Sequence, residues 1–448
     1  MDFNILITSN GPGEMSTWVQ PMINEIRATL PEARILLALV PCPHSSGFEE
    51  QFSSRFIGAT VMNPNETVHY LLTGQLPSHV VLARHGVILH LGGDQLFSVG
   101  LGWRTRFPVT VYTEKLAQWS SLVNQYFVRD QALADKLSLR VPEHKLRVVG
   151  DLMLENVQTS LSSQEVRQKL NLRLDAPVVS VLPGSKPIKV LNSVAFMLRI
   201  VDEISLLMPQ VQFVLPQSPF TPLSQIRQAV QDEEKIRLFD GVPAKIAHDR
   251  NSTSLITPQG NKVQIVPPSW HYNLLQISDL SITLPGTNTA ELGVLGIPML
   301  VILPLQKMNL LPLDGIASWI SKIPVLGPWI KKNLVYSILQ RLKYLALPNQ
   351  KAQAMIVPEM VGDITAENVA HQAYELLTQP LACRSISMRL RQVMQKQPTA
   401  HMILLELTRL LAQQNPEFDV IVPRMTQDPL DMSYDPDFPS DYSQPAAE

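Results

Sequence analysis

The sequence contains only two cysteines, Cys42 and Cys383, among its 448 residues. Thiols so few and so far apart provide neither a disulfide framework nor a thiolate metal site, and they fit a reducing, cytoplasmic compartment. The sequence also lacks any uninterrupted apolar run of about 18 residues or more, which argues against a membrane-spanning helix. The apolar stretch after Met1 reaches Ser9 too soon to form a signal-peptide core, so we expect no export.

A large excess of charge is missing as well. The formal net charge is −2 and charged residues make up 17% of the chain, whereas a protein that coats nucleic acid needs a clustered basic excess. The hydrophobic fraction of 45% is that of a globular protein. Because single hydrophobic cores seldom grow beyond about 250 to 300 residues, the length of 448 residues predicts two domains.

Short apolar strands alternate with helices from the start of the chain. The first elements are predicted as a strand at Phe3 to Thr8, a helix at Glu14 to Leu30 and a strand at Ala33 to Val40. This alternation is typical of βαβ units, and it restarts with a strand at Val178 to Leu182. We therefore predict an α/β protein with two parallel-sheet domains. The predicted segments are domains at 1–160 and 161–380, closing helices at 381–415 and an acidic, proline-rich disordered tail at 416–448.

The strongest functional pattern follows the predicted strand Leu280 to Leu284 and reads Pro-Gly-Thr-Asn-Thr-Ala-Glu. Gly286 lets the backbone pass close to a ligand, and the amides and dipole at the start of the next helix suit a phosphate. Glu291 is placed to accept hydrogen bonds from both ribose hydroxyls of a nucleotide. The alternative interpretation is an ordinary strand-to-helix turn with capping residues. The candidate binding residues are Gly286, Thr287, Asn288, Thr289 and Glu291.

A second pattern, Pro-Gly184-Ser185-Lys186, follows the strand at Val178 to Leu182. At the carboxyl edge of a parallel sheet such a loop faces the ligand crevice, and Lys186 would neutralise a departing diphosphate. The alternative is a solvated surface turn. Two loops of this kind in one domain favour a binding site.

A third pattern places acids at glycine-rich strand ends of the first domain. Gly11-Pro-Gly13-Glu14 follows the first strand, and Gly-Gly-Asp94 follows the predicted strand at Val87 to Leu91. Transfer of a group to a hydroxyl needs a base for the hydroxyl proton, and either Asp94 or Glu14 is a candidate. Each acid has the alternative role of a helix cap or turn residue.

Several of these segments together resemble the lipid-A-disaccharide synthase family. Leu182 to Lys186 is similar to its LPGSR loop, and Pro285 to Glu291 with Pro298-Met299 is similar to its SGTATLE…PMV segment. Leu347-Pro-Asn349 with Val357-Pro-Glu359 resembles its LPN…VPE stretch. Gly13-Glu14 aligns with its N-terminal Gly-Asp, and Gly150 to Met153 stand where the family has a GHPL-type turn, so the matches together span nearly the whole chain.

The resemblance implies a GT-B fold, in which two Rossmann-like domains face each other across a cleft. It further implies metal-free, inverting transfer of a sugar from a UDP donor to a lipid-bearing sugar acceptor, and a homodimer. An acid of the first domain would be the base, and the Gly11 and Gly13 loop would lie on the acceptor side. The family's donor-binding roles are carried over to Gly184, Ser185, Lys186, Thr287, Glu291 and Asn349.

Two substitutions depart from the family pattern. Lys186 replaces an arginine, which keeps the charge but loses bidentate contact with phosphate. Ala354 stands where another arginine is expected. These departures make the identity of the acceptor an open question.

Residues 303–347 form an apolar insert with six basic residues and a single acid, Asp314. A net positive segment with apolar ridges is typical of a peripheral membrane contact. The alternative is a helix that packs its apolar stripe on the protein's own core. The candidate membrane residues are Trp319, Trp329, Lys331 and Lys332.

The sequence leaves three functions open. The first is a membrane-associated glycosyltransferase with a lipid or glycolipid acceptor. The second is a UDP-sugar 2-epimerase, which has the same architecture but no need of a basic, apolar insert. The third is a non-catalytic protein that binds a nucleotide sugar or lipid, although an intact Glu291 argues against loss of donor binding.

Overall fold

The computed structural model describes residues 2–11, 14–41, 58–155, 157–184, 187–219, 221–249, 252–304 and 343–420. The chain divides into two compact units, Met1–Glu155 with Gln397–Glu448 and Asn156–Lys396. Each unit has its own sheet and its own hydrophobic core.

In its described part, the first unit contains one sheet of seven parallel strands in the order β3-β2-β1-β4-β5-β6-β7. Central strands such as β1 and β5 are buried along their whole length because helices cover both faces. The strands are β1 Phe3–Ser9, β2 Arg34–Leu39, β3 Ala59–Met62, β4 His85–His90, β5 Val109–Thr113, β6 Gln125–Val128 and β7 Leu146–Val148. The helices that follow them are α1 Gln20–Thr29, α2 Pro64–Thr73, α3 Gln95–Thr105, α4 Gln131–Ser138 and α5 Leu152–Glu155.

The second unit contains, among its described residues, an eight-stranded sheet in the order β10-β11-β12-β9-β8-β13-β14-β15. Its strands are β8 Val178–Leu182, β9 Gln212–Pro216, β10 Lys245–Asp249, β11 Ser252–Ile256, β12 Lys262–Val266, β13 Leu280–Thr283, β14 Met299–Pro304 and β15 Glu359–Gly362. Six of them, from β12 through β9, β8, β13 and β14 to β15, are paired in parallel, whereas β10 with β11 and β11 with β12 form antiparallel pairs that were not predicted from the sequence.

Nine helices are described in the second unit. They are α6 Ser163–Lys169, α7 Pro187–Leu207, α8 Leu223–Gln231, α9 Glu233–Leu238, α10 His271–Leu275, α11 Thr287–Leu295, α12 Leu347–Ala352, α13 Ala366–Leu377 and α14 Pro380–Val393. The long helix α7 packs with α13 against the sheet, and their buried apolar residues form the largest core cluster.

The chain then returns to the first unit through α15, Thr399–Gln414. Ile403, Leu404 and Leu407 of this helix are buried in the core that surrounds β1 and β4. The predicted closing helices at 381–415 are thus shared between the two units, with α14 in the second and α15 in the first.

The two α/β domains with parallel sheets that the sequence predicts are confirmed. The units divide between Glu155 and Asn156, a few residues before the predicted boundary at 160. Residues 416–420, which were predicted as the start of the disordered tail, instead form a short 3-10 helix. Its Phe418 is buried and packs edge-to-face on Phe3, with ring centroids 5.5 Å apart. The remainder of the predicted tail lies outside the described residues.

Candidate functional sites at two sheet edges

The two glycine loops of the second unit lie side by side at one sheet edge. β8 and β13 are neighbours, and Leu182 is paired with Thr283 at their carboxyl ends. From this junction the chain continues to β9 on one side and to β14 on the other, so the strand order reverses here. Such a switch point is where open α/β sheets bind ligands.

A lysine that the sequence analysis did not single out contributes to this edge. Lys189 lies in the first turn of α7, and a Cβ built on Gly184 would be 3.0 Å from its Cδ. A Cβ built on Gly286 would be 3.8 Å from its Nζ. Gly184 also has φ +99°, a conformation that side chains rarely adopt. The two glycines therefore make room for a cation at the switch point.

Ser185 and Lys186, which were predicted to bind the diphosphate, lie outside the described residues. The positive charge of the predicted loop nevertheless has a described neighbour in the same short segment, Lys-Pro-Ile-Lys189. Periodicity gave no reason to prefer Lys189 over Lys186, because the two lysines are only three residues apart in the sequence.

The start of α11 faces the same edge. Gly286 is its exposed N-cap and carries no side chain, so no side-chain hydrogen bond caps the helix. Thr287 and Asn288 follow at partly exposed positions. An uncapped N-terminus presents backbone amides and the positive end of the helix dipole, which together suit an anion.

Glu291 is held by two residues that the sequence analysis missed. Its carboxylate lies 3.1 Å from Nε2 of His271 through Oε2, and it accepts a hydrogen bond of 3.3 Å from the Tyr272 hydroxyl through Oε1. The two rings pack edge-to-face, with centroids 5.1 Å apart. Glu291 is 8% exposed, so both contacts fix the direction of a nearly buried carboxylate. Tertiary packing brings the start of α10 to α11, so no local sequence pattern indicates this pair of residues.

Two predicted binding residues have internal roles instead. Thr289 is fully buried, and its hydroxyl donates to the carbonyl of Gly286 at 2.8 Å and accepts from the amide of Leu347 at 3.2 Å. Its hydroxyl therefore shapes the turn from within. Thr289 is corrected from a ligand contact to a residue that supports the loop.

Asn349 needs the same correction. It is fully buried, and its amide group donates to the carbonyl of Val357 at 2.8 Å and to Glu359 at 2.7 Å. Its carbonyl oxygen accepts from the amides of Ile356 and Val357 at 2.7 and 3.0 Å. Because the side chain is used up by these bonds, it cannot reach a ligand. The segment that resembles LPN…VPE is thus a scaffold behind α11.

At the first unit's edge, the loops after β1 and β4 also meet at a switch point, because β1 and β4 are neighbours and the chain leaves them in opposite directions. Glu14 fills the space that two glycines leave open. A Cβ on Gly11 would lie 1.9 Å from Oε2 of Glu14, and one on Gly92 would lie 3.0 Å from its Cδ. The structure therefore brings together the two loops that carry the predicted base candidates Glu14 and Asp94, whereas Gly13 of the predicted acceptor-side loop lies outside the described residues.

Asp94, the other predicted base, is the exposed N-cap of α3. Its Oδ1 accepts from the amide of Leu96 at 2.9 Å. This is the helix-cap role that the sequence analysis kept as its alternative. Beneath it, His90 is buried with Ser98 and Thr8, and its Nδ1 lies 2.7 Å from Oγ of Ser98. Burial lowers the pKa of His90 to about 4, so its ring is neutral near pH 7.

Glu114 is an acid at this edge that the sequence analysis missed. It follows β5 directly and is partly buried. Burial, helped by the nearby Asp151 and Glu14 and opposed by the positive charges of Arg129 and Lys115, raises its pKa to about 7. A carboxyl group that titrates near neutral pH is suited to accept a proton. The sequence feature that could have identified Glu114 is its position immediately after a predicted strand.

Two kinds of feature are absent from the described residues. No helix among them is long and apolar enough to cross a membrane. They also hold no group of three or more His, Cys, Asp or Glu side chains placed to bind a metal ion. The predicted membrane residues Trp319, Trp329, Lys331 and Lys332 belong to the part of the insert that lies outside the described residues.

No family model matches the sequence. The lipid-A-disaccharide synthase of Alteromonas mediterranea is 22% identical over 262 residues, which cover 58% of this chain and 55% of that protein. The enzyme of the same name from Coxiella burnetii is 24% identical over 230 residues, which cover 51% of this chain and 47% of that protein. The chain thus spans about half the length of the curated relatives it matches. These findings confirm its similarity to lipid-A-disaccharide synthases.

Among solved structures, a UDP-GlcNAc 2-epimerase from Neisseria meningitidis bound to UDP-GlcNAc has a similar fold. The TM-score is 0.52 at 14% sequence identity, and the match covers 91% of this chain and 100% of the epimerase chain. At this level of identity the likeness shows the fold alone. It confirms the predicted pair of Rossmann-like, GT-B-type units.

Proposed function

We propose that the protein is an inverting glycosyltransferase that moves a sugar from a UDP-sugar to a lipid-linked sugar at a membrane surface. The observation that carries the proposal is the second unit's switch point, where Lys189 lies beside Gly286 at the uncapped start of α11, the helix that carries Glu291. The similarity to lipid-A-disaccharide synthases supports the same reaction class. Together they favour a donor that carries a ribose and a diphosphate.

The donor is proposed to bind by charge and hydrogen bonding. Glu291, oriented by His271 and Tyr272, accepts hydrogen bonds from the ribose hydroxyls. Lys189 and the backbone amides at the start of α11 neutralise the diphosphate. In this proposal the protein's own positive groups stabilise the leaving UDP, and no metal ion is required.

The acceptor hydroxyl is proposed to attack the anomeric carbon from the face opposite UDP. The new carbon–oxygen bond forms as the bond to the diphosphate breaks, which inverts the anomeric centre. The hydroxyl proton passes to a carboxylate of the first unit. Glu114 is the favoured base for this proton, because its pKa of about 7 matches a neutral operating pH. Glu14, in its glycine cradle, is the second candidate.

Calorimetry with UDP and UDP-sugars tests the donor site. Glu291→Ala should weaken binding about 10- to 100-fold, as expected for lost hydrogen bonds to a charged group of about 1.5–3 kcal/mol. Glu375→Ala, at an exposed position on α13, is the matched control and should bind like the unaltered protein. Equal affinity in the two variants would refute the site.

The reaction itself requires a separate assay. The protein is incubated with a panel of UDP-sugars and a membrane lipid extract, and both UDP and new glycolipid are measured. A glycolipid formed in proportion to UDP supports the transferase. An epimerised nucleotide sugar would establish the 2-epimerase instead, and binding without turnover would establish a non-catalytic protein. The homodimer that the resemblance implies stays a prediction, to be measured by light scattering.

A further inference from the structure

An apolar groove runs along α3 on the first unit, and none of the residues assigned above lines it. It has a volume of about 670 Å³, within the range of roughly 300 to 1,000 Å³ that is usual for sites of small organic ligands. Its walls are α3, with Leu96 and Trp103, and the loop at 114–124, with Trp119 and Leu122. Phe107 and Val109 lie between the walls. We call it the α3 groove.

The walls of the α3 groove expose large apolar side chains to solvent. Trp103 is 75% exposed, Leu122 56%, Leu96 50% and Trp119 45%. Scattered single apolar residues are normal on a surface, but four that converge on one concavity indicate a binding surface. The described residues that line it include no acid and one charged residue, Arg106. An apolar chain with an anionic end fits this lining.

The wall at 114–124 is held in an unfavourable conformation. Trp119 has φ +59°, which is rare for a bulky residue. This backbone conformation costs free energy, and strain of this kind is typical of ligand clamps. Its carbonyl accepts from the amides of Leu122 and Val123 at 2.8 and 3.0 Å, which closes the turn. The result is an indole kept near the solvent rather than in the core.

Both walls begin at the acids of the candidate acceptor edge. α3 starts at Asp94, and the other wall starts at Glu114. The side chain of Gln95 joins them, since it donates to the carbonyl of Leu116 at 2.8 Å and accepts from the amide of Gln118 at 2.9 Å. The lining of the α3 groove begins at Leu96, two residues after the Asp94 cap, so one end of the groove lies near this edge of the sheet, although neither acid lines it.

We propose that the α3 groove binds an acyl chain of the lipid-bearing acceptor. This proposal rests on the proposed function, because the acceptor's sugar must lie at the adjoining acids. An acyl chain is favoured over a bilayer surface because the apolar residues line a concavity rather than a ridge. It is favoured over a polypeptide because Arg106 is the one charged residue among the described residues that line the groove.

The test uses the full-length protein and a brominated C18 fatty acid below its critical micelle concentration, with binding followed by quenching of tryptophan fluorescence. Leu122→Ser and Trp103→Ser should each weaken binding about tenfold. Leu139→Ser is the matched control, because Leu139 is 84% exposed on the same unit but does not line the groove. All three positions are exposed, so the variants should fold, which circular dichroism verifies.

Equal affinity of Leu122→Ser and Leu139→Ser would overturn the proposal. So would binding to anionic vesicles without binding of the monomeric fatty acid, which would indicate a bilayer contact instead. UDP affinity is measured on the same samples. If the unaltered protein binds the fatty acid in the groove but no UDP, the proposed function fails while the acyl-chain site stands.

Discussion

Glu114→Gln should make the protein more stable and less active at the same pH. Glutamine keeps the size of glutamate, but an amide nitrogen replaces one carboxyl oxygen, so the side chain cannot ionise. Burial holds the pKa of Glu114 at about 7, with a further contribution from Asp151 and an opposing one from Arg129. The native protein therefore holds a proton more tightly than the unfolded chain between pH 4.5 and 7, and stability falls as the pH rises through that window.

The size of the effect follows from the shift. The pKa of Glu114 rises by about 2.5, from 4.5 to about 7, and a change of one in pKa corresponds to about 1.36 kcal/mol. At pH 8 the ionised carboxylate thus costs at most about 3.4 kcal/mol of folding free energy, which the glutamine variant regains. At pH 4 both proteins carry a neutral side chain, so their stabilities should be nearly equal.

Urea unfolding at pH 4, 6 and 8 measures this difference, with the exposed Glu143→Gln as the control. The expected result is a stability gain that grows with pH in Glu114→Gln and stays flat in the control. Turnover should fall by about 10²- to 10⁴-fold while UDP affinity is retained, because a general base acts only on the chemical step. A pH-independent stability difference would refute the environment assigned to Glu114. Unchanged turnover would move the base to Glu14.

Two further substitutions test the second unit. Lys189→Met should weaken UDP binding about tenfold but leave uridine binding almost unchanged, because the lost charge faces the diphosphate; calorimetry that finds equal losses for both ligands would contradict this role. Asn349→Ala should destabilise the protein by about 2–4 kcal/mol in urea unfolding, because it leaves buried backbone groups of Ile356 and Val357 without partners. A change below about 0.5 kcal/mol would show that the amide is dispensable.

The elements at the two switch points could be predicted because their signals are local. β1 was predicted at Phe3 to Thr8 and ends at Ser9, and β8 was predicted with its observed bounds. Short apolar runs that end in glycine mark buried parallel strands whatever their neighbours are. The strand pattern also placed Gly184 and Gly286 at strand ends, and pairing of Leu182 with Thr283 then brings these ends together.

The direction of a side chain could not be predicted in the same way. Asn349 and Thr289 have the residue types of a polar binding site, yet both are fully buried and bonded within the protein. His271 lies beside Glu291 only through tertiary packing, and Lys189 stands in the same short segment as Lys186 without a pattern that distinguishes the two. A motif fixes which groups are available, whereas tertiary packing decides which of them face a ligand.

The sequence also did not indicate which unit the C-terminal helix and the segment after it pack against. The apolar stripe of α15 showed that the helix packs on a core, but not that the core is the first unit's. The same return carries Phe418 to Phe3. One aromatic residue in an acidic, proline-containing segment gave too little periodicity to separate it from a disordered tail.

The contrast between Asp94 and Glu114 connects the proposed chemistry with the α3 groove. Asp94 is exposed and bonded to the helix that it caps, so its position is used to fix α3. Glu114 is partly buried, and its raised pKa gives it proton affinity at neutral pH. An acceptor whose chain lies in the α3 groove and whose sugar lies at this sheet edge, as proposed, would exclude water from Glu114. Loss of water raises the pKa of a carboxyl group further, so a bound acyl chain should shift the pH at which Glu114 titrates upward. Acceptors with longer chains should then require a higher pH for half-maximal turnover, and Glu114→Gln should abolish that dependence.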